Sequence, residues 1–266
     1  MKNFSVLILT YNEEVNILDC VNSVKNSNDI VILDSFSIDQ TKAISTKLNV
    51  RFYERKFSSY SEQRNYGLHN IFYKNEYLLI LDADERASKE LVLELFELCK
   101  SDSIENHKVY LVRRNVFFNG KILKRNITAT VWIERFVHPR SVHYYGNVHE
   151  KLKYEGKFGL LNEYIIHHQF SKGIKNWIER RKKYAQLEFA SKRESIEISN
   201  TSNDKISRRV KIRNFFMNYI PFYYLLYFAF NFFVKLAFLD GIKGLKYITL
   251  ETYSLYLLSK YKKNDK

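Results

Sequence analysis

The chain has 266 residues, 45% of them hydrophobic, which excludes a mainly disordered design and allows a full core. Lysine and arginine number 43 against 29 aspartate and glutamate, a net charge of +14 that selects negatively charged partners: nucleic acid, anionic lipid or phosphorylated glycans. The two cysteines, Cys20 and Cys99, have neither metal-site spacing nor a disulfide framework and point to a reducing compartment; the N-terminus lacks the pattern of a signal peptide.

The first hundred residues alternate short apolar runs with helix-period segments, the signal of parallel βα units. A buried strand is expected over 4–10. A helix should follow, with Asn12 as N-cap, Glu13 and Glu14 in its first turn, and Val15, Leu18, Val21 and Val24 facing inward. Strands are expected at 30–33, 50–53 and 77–81, with a short helix around Ala43, Ile44 and Leu48. Ser88 should cap a helix carrying Leu91, Leu95 and Leu98 on one stripe. In an open parallel sheet, ligands bind beyond the carboxyl ends of the strands, where Tyr11, Asp34, Asp82 and Asp84 all fall.

Residues 109–118, 131–137 and 164–168 read as strands that extend the sheet in antiparallel fashion. A long basic amphipathic helix is expected over 171–197, with Ile174, Trp177, Ile178, Tyr184 and Ala185 on one side. A basic stretch follows at 205–213, and 214–234 carries no formal charge. Its Tyr, Phe, Asn and Pro content suits a headgroup interface better than hydrocarbon, while a helical hairpin packed on the core reads equally well. The division expected is 1–170 and 171–266.

Asp82-Ala83-Asp84 directly follows the apolar run Leu78-Leu79-Ile80-Leu81. Two carboxylates one residue apart at a strand end can share a hard divalent cation, although acids also favour a helix start such as the one at Ser88. Three further motifs precede it: Leu9-Thr10-Tyr11-Asn12-Glu13-Glu14, Val31-Ile32-Leu33-Asp34-Ser35 with Asp39 and Thr41, and Ser61-Glu62-Gln63-Arg64-Asn65-Tyr66-Gly67-Leu68. In this order and spacing the four motifs resemble the family 2 glycosyltransferases of the GT-A fold, over about residues 4–170.

The resemblance implies an α/β catalytic domain, Rossmann-like, with a mostly parallel sheet and helices on both faces, followed by a helical, basic and aromatic extension. It implies an inverting, metal-dependent hexosyltransferase that uses a UDP-sugar. Thr10, Tyr11 and Glu13 would line the nucleotide, Tyr11 lying against uracil; Asp34 would accept from the uracil imide and Arg64 would reach the base or ribose. Asp82 would contact the ribose and the waters of the metal, Asp84 would bind Mn²⁺ or Mg²⁺, and His167 would complete the metal shell.

Gly146-Asn147-Val148-His149-Glu150 resembles the G-x-V-H-E element of bacterial lipopolysaccharide and lipooligosaccharide core β-1,4-glucosyltransferases. By that resemblance Glu150 is the general base, with His149 beside it and Glu134 as the second choice. Phe238-Leu239-Asp240-Gly241-Ile242-Lys243-Gly244-Leu245 is similar to the F-L-D-G-x-x-G-L turn of the same subgroup. The subgroup implies glucose from UDP-glucose as the transferred hexose, an inner-core heptose or Kdo as acceptor, and a cytoplasmic protein held peripherally at the inner face of the membrane. A capsule, another polymer or a protein remains an alternative acceptor. Nucleic-acid binding is the remote alternative, since no recognised module carries the positive charge.

Overall fold

The computed structural model describes residues 3–146, 150–194 and 222–263. His149, the basic stretch 205–213 and residues 214–221 lie outside the described residues, as do the side chains of Tyr184 and Ala185. The chain divides into two compact units, Met1–Ile122 with Thr128–Lys172, and Leu123–Ile127 with Gly173–Lys266.

The first unit is built on β1 (Ser5–Thr10), β2 (Asp29–Asp34), β3 (Arg51–Glu54) and β4 (Leu78–Asp82), which pair in parallel. Their apolar residues alternate between two cores. Val6, Ile8, Ile30, Ile32, Leu79 and Leu81 join one cluster, with α1 (Ile17–Ser23) and α4 (Lys89–Lys100). Leu7, Val31, Leu33, Leu78 and Ile80 join the other, with Leu68 of α3 (Tyr60–Asn70). Strands covered on both faces read as continuous apolar runs, which is why these were legible.

The short helix α2 (Thr41–Ser45) precedes β3. Gly67 lets α3 close on the sheet, because a Cβ there would meet the Leu7 side chain at 2.5 Å. Beyond β4 come β5 (Glu85–Ala87), β6 (Val109–Phe118), β7 (Lys121–Ile122), β8 (Thr130–Val137) and β11 (Gly159–His167). The sheet order is β3-β2-β1-β4-β8-β6-β11-β5, with β7 on β6. A separate ribbon pairs β9 (Val142–Tyr145) with β10 (Lys151–Tyr154).

Three details differ from the sequence reading. Asn12 does not cap α1: it turns at φ 54° and its Oδ1 accepts from Ile38 N, so the helix starts only after Asn16. That delay rotates the helix face, leaving Val15 and Leu18 exposed while Ile17, Cys20, Val21 and Val24 fill the core. The sheet extension is antiparallel at β8, but β11 runs parallel to β6.

The second unit is helical: α5 (Gly173–Glu194), α6 (Tyr223–Ala229) and α7 (Gly241–Lys263). Trp177 is buried, and Arg181 stacks over it at 5.0 Å while pairing with Glu251 at 3.1 Å; Ile174, expected inward, is exposed. Among the described residues no single helix is long and apolar enough to cross a membrane, although the pair Tyr223–Val234 and Ala237–Lys260, bent by 71°, passes together by length and composition.

Candidate active site

Two loops at the carboxyl ends of β1 and β2 are knitted together by reciprocal bonds. Asn12 N donates to Ser37 Oγ at 2.7 Å, Glu13 N to Thr41 Oγ1 at 2.7 Å and Glu14 N to Asp39 Oδ2 at 3.1 Å, while Gln40 N returns a bond to Glu14. The cradle is therefore fixed by side chains of the second motif binding backbone of the first. Asp34 is fully buried and accepts from both the backbone N and the hydroxyl of Ser37. Burial pushes its carboxyl up, against those two bonds. Thr10 Oγ1 is buried with no hydrogen-bond partner among the described residues, and Tyr11 is more than half exposed.

Glu13 sits deeper. Its carboxylate takes Lys172 Nζ at 2.6 Å and Asn16 Nδ2 at 2.6 Å. Burial and the nearby Asp84 charge raise its pKa in spite of these partners. Asn16 is held in turn by Arg86, whose other nitrogen donates to the carbonyls of Ala83 and Glu85. The acidic loop and the first motif are thus joined through one asparagine.

The acidic motif anchors a chain of alternating charges. Arg64, from α3, donates Nη2 to Asp82 Oδ1 and Nε to Glu150 Oε1, both at 3.0 Å. Arg135 donates to Asp82 Oδ2 at 2.5 Å and to Glu85 Oε1 at 3.0 Å, and Arg114 reaches the same Glu85 oxygen at 3.3 Å. Burial works against ionising Asp82, but Arg135 and Arg64 prevail and hold it well below the ordinary carboxylate range. Three arginines face Asp82, Glu85 and Glu150, so the network is close to neutral. Buried charges persist when each is matched in this way.

Arg135 reaches the network because the β6–β8 register slips at that point: Tyr110 pairs Phe136 and Leu111 pairs Glu134. The extra residue is Arg135, and such a bulge re-aims a side chain. The bulge gives Arg135 to Asp82 and Glu85. Glu85 is fully buried and receives Asp82 N at 3.0 Å.

Asp84 points elsewhere. Its Oδ2 lies 3.3 Å from His167 Nε2, because β11 pairs His167 with Glu85 and His168 N donates to the Asp84 carbonyl. A carboxylate and an imidazole so placed suit a borderline divalent cation such as Mn²⁺ better than Mg²⁺. Among the described residues no set of three His, Cys, Asp or Glu side chains forms a closed cage. Asp82, with its oxygens on two guanidiniums, leaves Asp84 and His167 as the converging pair.

Of the sequence-predicted residues, the structure brings Arg64, Asp82 and Glu150 into one network, Asp84 and His167 into contact, and Glu13 beside Asp84. Glu134 has no place in the charge network described above. Arg135, Glu85, Arg114 and Lys172 were missed, and so was Tyr144, whose ring lies 5.4 Å from the Arg64 guanidinium. An arginine interrupting the apolar end of β8 was the one sequence signal for Arg135.

The Glycosyl transferase family 2 profile matches residues 5–153, more than half of the chain and all of the arginine–carboxylate network, with His167 and Lys172 beyond it. The chain belongs to glycosyl transferase family 2. Its α/β unit, with a mixed sheet and helices on both faces, is the GT-A fold with a helical C-terminal region. A glycosyltransferase of Rickettsia typhi is 30% identical over 121 residues, 45% of this chain and 41% of that protein. Glycosyltransferase SunS of Bacillus subtilis is 33% identical over 132 residues, 43% of this chain and 31% of the other. The matched stretch thus spans well under two thirds of these relatives. S. aureus TarS 1-349 aligns over 98% of this chain and 92% of its own at 14% identity, with a TM-score of 0.49.

Proposed function

We propose that the protein moves a hexose, glucose from UDP-glucose, to an inner-core heptose or Kdo of lipopolysaccharide or lipooligosaccharide, with inversion. The observation that carries the transferase reading is the Arg64 bridge, which ties the acidic motif at the end of β4 to Glu150. An acidic motif and a candidate base are then joined through one guanidinium.

In this reading Asp34 accepts from the uracil imide, Tyr11 covers the base and Thr10 and Glu13 line the same loop. The acceptor oxygen attacks the anomeric carbon as the bond to the β-phosphate oxygen breaks. Glu150 takes the hydroxyl proton, and the electron pair leaves with UDP. Asp84 and His167 would hold a divalent cation, whose role when bound is to offset the negative charge growing on the diphosphate. Arg64 and Arg135 fix Asp82 and keep it ionised beside the donor.

The acceptor class rests on the likeness of Gly146–Glu150 and Phe238–Leu245 to the core glucosyltransferases, supported by the net charge of +14, which favours phosphorylated or lipid-borne glycans. Work at the inner face of the cytoplasmic membrane belongs to the same reading. A panel of UDP-sugars, each with and without Mn²⁺, tests the donor by release of UDP; heptose- and Kdo-terminated lipid acceptors then test transfer. UDP release from no UDP-sugar, or transfer undiminished in excess EDTA, would overturn the mechanism. Transfer only to capsule, other polymer or peptide acceptors would move the assignment of the acceptor.

A further inference from the structure

The C-terminal unit turns sharply between α6 and α7, and the turn is built rather than loose. The helix of α6 runs into a π-helical turn, Phe230–Val234, and the chain then reverses through Leu236 at φ 55°. A non-glycine residue in that region is strained and needs its surroundings to hold it. Two buried polar side chains supply the hold. Asn231 Oδ1 accepts from Ile127 N at 2.9 Å, and Asp240 Oδ2 accepts from Lys124 N and Arg125 N, each at 2.9 Å. Gly241 takes φ 75°, and a Cβ on Gly244 would fall 2.3 Å from the Ala237 carbonyl. This gives the Phe238–Leu245 turn a physical account that its sequence did not.

What the turn presents is apolar. Phe230, Phe233, Val234, Phe238, Leu239 and Ile242 are all exposed, Phe233 by 70% and Ile242 by 74%. A contiguous stretch of this kind marks an interaction surface. The charges beside it decide the partner. From 222 to 250 the charged residues are Lys235, Asp240, Lys243 and Lys246; Asp240 is buried, and the three lysines are exposed. Within this segment the exposed charges beside the apolar tip are all cationic, which matches an anionic bilayer surface, where lysines meet lipid phosphates and the aromatics pass below them. A helix such as Tyr223–Val234 rises roughly 18 Å, short of the ~30 Å hydrocarbon core, and the 71° bend before Ala237–Lys260 keeps the pair from forming one straight span, so the turn suits entry into one leaflet.

We infer that residues 230–246 form a preformed interfacial wedge that inserts into one leaflet of an anionic membrane. The inference rests on the membrane placement proposed above and deepens it by naming the inserting residues.

Cys20 and Cys99 are buried, so a single introduced cysteine can be labelled selectively in the full chain. Phe233→Cys removes an exposed side chain and should fold; Phe72→Cys, 75% exposed on the first unit, is the control. Each variant carries an environment-sensitive fluorophore and is mixed with vesicles of phosphatidylglycerol and phosphatidylcholine, or of phosphatidylcholine alone. The label at 233 is expected to shift to the blue and to be quenched by lipids brominated in the acyl chain, with the label at 72 unchanged. Replacing Phe233 and Ile242 together by serine should weaken binding to the anionic vesicles by at least about tenfold. Vesicle binding without a shift at 233 would overturn the wedge and leave the membrane placement standing. Absence of binding to either vesicle would overturn both. A shift that grows with protein concentration in the absence of lipid would assign the face to a second copy of the chain and overturn the inference.

Discussion

The Nε of Arg64 holds Oε1 of Glu150 at 3.0 Å, and the same guanidinium reaches Asp82 with Nη2. Glu150, just before β10, is therefore tied to the acidic motif through one residue of α3. This links two readings that the sequence kept apart, the acidic motif and the candidate base.

Glu150→Gln keeps the size of the side chain and a hydrogen bond from Arg64 but cannot accept the proton. It should lower kcat by about 10²–10⁴-fold, the usual worth of a general base, with UDP affinity nearly unchanged. Glu134→Gln should do less, since it stands outside the arginine network. Product formation at saturating donor, with UDP binding measured separately, compares the two. Wild-type turnover in Glu150→Gln with a loss in Glu134→Gln would give the role to the other carboxylate.

Arg135 is the structural centre of the network, shared by Asp82 and Glu85. Arg135→Leu would leave the fully buried Glu85 with Arg114 as its one arginine partner, beside the Asp82 backbone N. Breaking one partner of a buried ionic cluster costs about 3–5 kcal/mol, because the remaining charge stays desolvated. Urea unfolding should show a loss of that order, and Arg135→Lys a smaller one. A loss under about 1 kcal/mol would mean that water replaces the guanidinium without penalty.

Much of the first unit was legible because its strands are apolar on both faces and its helix α4 begins at a good cap, Ser88, which accepts from Leu91 N. The places of Asp34 and Asp82 at the ends of β2 and β4, with Asp84 just beyond, were legible for the same reason, and strand ends of a parallel sheet are where ligands go. Arg135 was hidden by a bulge, which a simple alternation of faces cannot foresee. Asn12 was misplaced because its side chain has two uses, cap or cross-loop bond, and the partner that decides, Ile38 N, lies far along the chain. What anchors Asp240 was illegible for a similar reason, its partners being backbone amides at 124 and 125.

Asp84 and His167 should act together. Asp84→Asn removes the charge while keeping the shape, and His167→Ala removes the imidazole that lies 3.3 Å away. Either change should weaken Mn²⁺ binding, read by the paramagnetic relaxation of water protons, by roughly 10-fold or more, and the double variant should lose little beyond the worse single one. Activity in Asp84→Asn should fall to near zero with the fold intact by circular dichroism. Mn²⁺ binding unchanged in both variants would remove the pair from the site.

Acid should separate Asp34 from the rest of the proposed donor site. Burial favours its neutral form, so its folded pKa lies above the ordinary 3.8, although Ser37 opposes the shift with two hydrogen bonds. Those two bonds leave lone pairs free on the carboxylate for one more donor, which in the proposed reading is the uracil imide. Only the ionised form accepts freely from it. The sign follows: UDP affinity is full above the raised pKa, falls as pH drops through it, and begins to fall at a higher pH than an exposed aspartate would allow. The phosphates of UDP also titrate under acid, but they do so equally for any variant. The comparison is therefore wild type against Asp34→Asn, whose amide oxygen can accept at every pH. Calorimetric titrations with UDP should show the ratio of the two affinities shrinking as acid is added, because the wild type loses an ionised acceptor that the variant never had. A ratio constant from neutral pH down to the limit of folding would mean that Asp34 organises the loop through Ser37 and does not touch the base.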